Sequence, residues 1–92
     1  MTISQVSDLA VHPGEYIADE LEARGLSQRE LARQMGRPYQ SLNQIIRGHK
    51  PVTADTALDL EAAFGVSAQT WLNLQTAFDL TTARQLRATR MA

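Results

Sequence analysis

LSQRELARQMGRPYQSLNQIIRG, residues 26–48, places two short amphipathic segments on either side of a glycine, and its reading decides the fold. Ser27 and Glu30 form an S-x-x-E capping box, whose hydroxyl and carboxylate each close a backbone amide left unpaired at the start of a helix beginning at Gln28. Leu31, Ala32 and Met35 share one apolar stripe, leaving Gln28, Arg29, Arg33 and Gln34 toward water or a partner. Ala32 is small where two crossing helices must approach closely. Gly36 ends the helix, because a residue without Cβ enters the left-handed region at little steric cost. Pro38 then fits the first turn of the next helix, where its missing N–H would be unpaired anyway. In that helix Leu42, Ile45 and Ile46 pack inward, and Gln40, Ser41, Asn43, Gln44 and Arg47 face outward until Gly48 stops it. Helix, tight turn and helix with a polar outer face make the helix-turn-helix pattern.

The chemistry of that face suits the DNA major groove. A Gln or Asn amide offers a donor and an acceptor in one plane, matching N6 and N7 of adenine. Gln40 and Gln44, one helical turn apart, would meet neighbouring base pairs. Each bidentate pair is worth about 1–3 kcal/mol of discrimination, so two per subunit suffice to select a site.

The charge distribution agrees with this reading although the total does not. Nine basic and ten acidic residues leave the 92-residue chain at −1, where most DNA-binding domains are plainly basic. Residues 1–23 hold Asp8, Glu15, Asp19, Glu20 and Glu22 and no Lys or Arg, a block of −5. Residues 24–50 hold Arg24, Arg29, Arg33, Arg37, Arg47 and Lys50 against Glu30 alone, a block of +5. Phosphate neutralisation is local, so a dipolar protein binds DNA despite a near-neutral total. Arg37 in the turn, Arg47 at the end of the third helix and Lys50 just beyond it are the expected phosphate contacts, with Ser41 and Gln28 adding neutral ones. Four phosphate contacts per subunit predict a slope of log K against log salt near −7 for a dimer.

The remaining chain reads as one all-α domain of five helices, with no run alternating long enough for a strand. Pro13 starts the first helix, Ile17, Ala18 and Leu21 line its apolar side, and Gly25 stops it. Thr53 caps a fourth helix carrying Ala57, Leu60 and Phe64, which ends at Gly65. Ser67 caps a fifth, with Trp71, Leu74 and Phe78 in register and Trp71 as its core anchor. The domain is expected to span 12–80, with the helix-turn-helix proper at 27–48. Residues 1–11 form an N-terminal arm with sparse apolar points at Ile3, Val6, Leu9 and Val11. Residues 81–92 form a helical extension bearing Arg84, Arg87 and Arg90, with Leu86 and Met91 between, that frays at its end.

The absence of cysteine excludes disulfides and Cys-ligated zinc, and no charged-then-apolar leader opens the chain, so a cytoplasmic protein is expected. No apolar run approaches the ~20 residues of a membrane span. His12 and His49 stand in no spacing typical of a hydrolase, metalloprotease or nucleotide-binding loop, so neither catalysis nor a cofactor or metal is expected. His12 reads as a residue at a helix start and His49 as a loop residue near phosphate.

Leu26 to Gly48 resembles, without a gap, the helix-turn-helix of phage repressors and of the xenobiotic-response-element regulators. The stretch from HPGEY at 12–16 through GRPYQSLNQIIRG at 36–48 and TADTAL at 53–58 to WLNLQTAFDL at 71–80 is similar to the HigA-type antitoxins, the subgroup sometimes called VapI. That resemblance spans residues 12–80, and HPGE together with WLNLQ is its more specific part. It implies a homodimer that binds an inverted repeat in double-stranded DNA ahead of its own operon. It also implies a partner, a small ribosome-dependent mRNA-cleaving toxin of the HigB type. Carried over by position, Tyr39, Gln40 and Gln44 read bases with Asn43 beside them, and Gln28 touches phosphate. Two departures stand out: Arg37 where many relatives carry an aliphatic residue, and Tyr39 where phage repressors often place Gln, which suits Tyr39 equally to backbone or a thymine methyl.

Pairing of two subunits is expected on separate grounds, because one recognition helix covers too few base pairs to find a single genomic site. Two such helices about 34 Å apart read a palindrome. Leu72, Leu74 and Phe78 of the fifth helix are the expected dimer interface. Three functions then compete: an antitoxin that is also an autorepressor, a stand-alone repressor without a toxin, and a helical adaptor or enzyme subunit with a vestigial motif. The helix-turn-helix favours the first two, and HPGE with WLNLQ favours the first of them.

Overall fold

A computed structural model describes residues 10–91 of the chain. Among these residues there are five helices and no strand: α1 (Pro13–Arg24), α2 (Gln28–Met35), α3 (Tyr39–Ile46), α4 (Ala54–Phe64) and α5 (Ala68–Met91). Ile3, Val6 and Leu9 of the expected arm lie outside the described residues.

Helix starts and stops follow the capping chemistry of the sequence. Ser27 Oγ accepts from the Glu30 amide at 3.1 Å and the Glu30 carboxylate accepts from the Ser27 amide at 2.8 Å, closing the capping box. The amide donated by Ser27 holds the Glu30 carboxyl below its usual range. Thr53 and Ser67 hydroxyls accept from the amides of Thr56 and Thr70 in the same manner. Gly36 adopts φ 66°, and beyond it the Arg37 amide bonds back to the Ala32 carbonyl at 3.0 Å. Pro38 departs from expectation. It is the residue before α3 rather than within its first turn, with ψ 141°, because the chain must swing out of the Gly36 turn before it can coil again.

The core gathers one residue set from every helix: Ile17 and Leu21, Leu31 and Ala32, Leu42 and Ile45, Ala57, Leu60 and Phe64, and Trp71, with Val52 from the α3–α4 loop. α1 packs on α3 and α5, α2 on α3 and α4, and α4 on α5, so α3 is held from two sides with its polar face free. Trp71 is the expected anchor, 2% exposed and tilted against Phe64 with ring centroids 6.2 Å apart.

Three residues fasten the ends of this frame. His12 precedes α1 with its Nδ1 accepting from the Gly14 amide at 2.9 Å, so the imidazole is an N-cap. Gly14 lies where α1 meets the end of α3. A Cβ on it would collide with the carbonyl oxygens of Ile45 and Ile46, standing 2.5 Å from the latter. Gln75, buried on α5, accepts from the Val52 amide at 2.7 Å and donates to Asp79 at 2.9 Å, tying α5 to the loop after α3.

Burial lowers the His12 pKa from its usual 6.5, outweighing a backbone hydrogen bond to Lys50 and the nearby charges of Asp79 and Glu15. The unfolded chain therefore binds more protons in the window just below pH 6.5, and stability falls as pH drops through that window. Urea titrations at stepped pH should show this loss in the native chain. The step should vanish in His12→Asn, which keeps a capping side chain without a titrating ring. An equal step in both would place the titration elsewhere.

α5 is one uninterrupted helix of 24 residues, about 36 Å long at the α-helical rise. The expected division at residue 80 is no break in the backbone. The environment changes two residues later, since Thr81 and Thr82 are half-buried and 83–91 are exposed, Leu86, Met91 and the three arginines among them. No helix of the described residues is long and apolar enough to cross a membrane.

Candidate nucleic-acid interface

α3 and its C-terminal cap residue present Gln40, Gln44 and Arg47, all exposed, at i, i+4 and i+7 along one face. Neither Gln40 nor Gln44 has a side-chain hydrogen bond within the described residues, so both amides keep their full donor and acceptor capacity. Ser41 and Asn43 flank the strip half-buried, and Tyr39 opens the helix, also half-buried and packed against the core. No side chain caps the start of α3. Lys50 is exposed just beyond the helix. Its backbone is fixed there: the Gln44 carbonyl accepts from the amides of His49 at 2.8 Å and Lys50 at 3.3 Å.

The first turn of α2 is bonded to this helix. Asn43 Nδ2 donates to Gln28 Oε1 at 2.9 Å, and the Arg29 guanidinium carbon lies 4.3 Å from the centre of the Tyr39 ring. Asn43 thus spends an amide proton inside the protein, and its pairing with adenine is restricted accordingly. Gln28 retains its amide donors for phosphate.

Arg37 is placed differently from expectation. Instead of standing free in the turn, its Nε donates to Asp59 at 2.8 Å and its Nη2 to Asp55 at 2.6 Å, so two α4 carboxylates hold it. Its side chain keeps only 21% exposure. A guanidinium paired with two carboxylates has less net charge to offer phosphate than the free cation expected in the turn. Arg24 is likewise committed, to Glu20 at 2.9 Å and to the Phe64 carbonyl at 2.9 Å, with its guanidinium over the Phe64 ring. The +5 block therefore contributes chiefly Arg29, Arg33, Arg47 and Lys50 to the outer surface. Nothing in the sequence marks Asp55 and Asp59 as partners of a residue 18 to 22 positions earlier.

On α5, Leu72 and Leu74 are half-buried and pack in part on the core. Phe78, half-buried, meets the His12 ring edge-on at 4.9 Å, a contact within the chain. Leu80 and Leu86 are more exposed, at 47% and 60%.

Residues 17–71 match the helix-turn-helix family. Virulence-associated protein I of Dichelobacter nodosus is 47% identical over 77 residues, covering 83% of this chain and 71% of that protein. The structure of an addiction module antidote protein of the HigA family from Coxiella burnetii superposes with a TM-score of 0.82 at 36% identity, over 89% of this chain and 90% of its own. The chain belongs to the HigA antitoxin family of helix-turn-helix proteins. A further HigA antitoxin, from Pseudomonas aeruginosa and solved with the higBA promoter, superposes with a TM-score of 0.84 at 34% identity over 90% of this chain and 91% of its own.

The two motifs most specific to the HigA resemblance turn out to have structural work in this chain. In HPGE, His12 caps α1, Pro13 occupies the first helical position and Gly14 lets α1 touch the end of α3. In WLNLQ, Trp71 fills the core and Gln75 holds the loop that follows α3. Both therefore set where the exposed face of this HigA-family chain stands.

Proposed function

We propose that this chain is a sequence-specific DNA-binding antitoxin that represses its own operon as a homodimer and neutralises a small HigB-type toxin. The single observation that carries the DNA reading is the exposed strip of Gln40, Gln44 and Arg47, whose two amides are unpaired within the described residues. The likeness to a HigA antitoxin solved with its promoter supports it. Gln40 and Gln44 read base edges, with Tyr39 and Asn43 beside them, while Arg47, Lys50, Ser41 and Gln28 hold phosphates. Two subunits related by a two-fold axis read an inverted repeat, joined through α5 by way of Leu72, Leu74 and the outer surface of Phe78.

A mobility-shift assay on the chain's own upstream region tests the repressor reading, and repeating it with the neighbouring gene product tests the antitoxin reading. A shifted band with a two-fold site, and co-purification of a small basic neighbour, are the expected results. A band without such a neighbour would leave a stand-alone repressor.

The committed Arg37 alters the expected ionic response. With Arg37 held by Asp55 and Asp59, the charged phosphate contacts are Arg47 and Lys50, four per dimer, so log K should fall against log salt with a slope of about −4 rather than −7. Arg37→Met should leave that slope unchanged in a fluorescence-anisotropy titration. A slope made shallower by about 2 would show that Arg37 leaves its carboxylates to meet phosphate.

A further inference from the structure

We propose that Arg29 determines base preference at the start of the recognition helix, acting through Tyr39 rather than by touching a base itself. The inference rests on the reading that α3 meets the major groove. Arg29 belongs to α2, the helix that does not carry the readers, and its side chain is exposed. Its guanidinium nonetheless lies over the Tyr39 ring, with Cζ 4.3 Å from the ring centre. Such a contact is attractive through the ring quadrupole, and a planar cation restricts the ring to the orientations that keep the two surfaces together.

Tyr39 needs that restraint more than its neighbours do. It is the first residue of α3, follows a proline, and has no capping side chain to order the turn before it. It is half-buried and packs in part against the core. A ring held on only one side is a poor reader, because ordering it on binding would offset the gain from a thymine methyl or a base-edge hydrogen bond. Arg29 supplies the second side in advance. The neighbouring pair repeats the arrangement, with Gln28 holding Asn43 at 2.9 Å, so consecutive residues of α2 brace two side chains of α3. Arg29 is thus a positioning residue for recognition.

Selection from DNA randomised across the half-site, performed with the full chain, tests this. Tyr39→Ala defines the base pair that Tyr39 governs. Arg29→Met, which keeps an unbranched stem of similar reach, should weaken preference at that same base pair by about two- to five-fold. Preferences governed by Gln40 and Gln44 should persist in it. The double variant Arg29→Met/Tyr39→Ala should select as Tyr39→Ala does alone, the signature of one residue acting through the other. Arg29→Met that weakens all sequences alike and flattens the salt dependence would make Arg29 a phosphate contact and overturn the proposal. Unaltered selection by Arg29→Met would overturn it as well. Failure of the unmodified chain to select any sequence is a distinct result, one that removes the reading of α3 itself and the role of Arg29 with it.

Discussion

Gln40→Ala/Gln44→Ala should lose about 2–6 kcal/mol of discrimination per half-site, since each bidentate amide contributes about 1–3 kcal/mol against the wrong base. The loss should fall on the operator alone. Residual binding to random DNA rests on Arg47 and Lys50, which the double substitution leaves in place. Both glutamines are exposed and lie outside the core cluster, so the melting temperature should stay within the scatter of surface substitutions. The pairing of unchanged stability with collapsed specificity is the informative outcome, measured as the ratio of operator to random-sequence affinity at one salt concentration. Arg47→Ala is the matching control and should weaken both DNAs together. Equal losses on operator and random DNA from the glutamine variant would mean that α3 lies on the backbone and does not read the groove.

Gly14→Ala should destabilise the fold by about 2 kcal/mol, against the usual sign for a glycine replaced in a helix. At an open helical site alanine gains about 0.5–1 kcal/mol over glycine. Here the added Cβ meets the carbonyl oxygens of Ile45 and Ile46, backbone atoms that cannot swing aside as a side chain would. Forcing α1 away from α3 costs about 3 kcal/mol, the upper end of the range for overpacking, because the atoms met are backbone. In a domain of this size the net effect corresponds to a melting temperature lower by about 8–16 °C. Because Gly14 faces the last turn of α3, DNA affinity should also decline even under conditions where the variant remains folded. A neutral or raised melting temperature would show that the two helices do not approach so closely in solution.

Much of the fold was legible because its signals are local. Ser27 with Glu30, Thr53, Ser67 and the glycine stops act within one turn of where they stand, and each ends or begins a helix where the spacing placed it. The outward face of α3 was legible for the same reason, since helical periodicity alone separates Leu42 and Ile45 from Gln40 and Gln44. Pro38 went astray by one position because the swing of the backbone out of the Gly36 turn has no residue code of its own. The candidate site was less complete in the sequence. Arg37 read as a free cation because Asp55 and Asp59 lie on another helix, and the Phe78 contact with His12 joins residues 66 positions apart in the chain.

Sequence alone determined the helices, the caps and the exposed polar face of α3, all properties of residues a few positions apart on one periodic backbone. Tertiary structure decided which charges are paired within the chain, which side chains are braced, and why His12, Gly14 and Gln75 matter. Ion pairs, ring stacking and close helix approach depend on distances in space, and those distances come into being only when the five helices pack around Trp71.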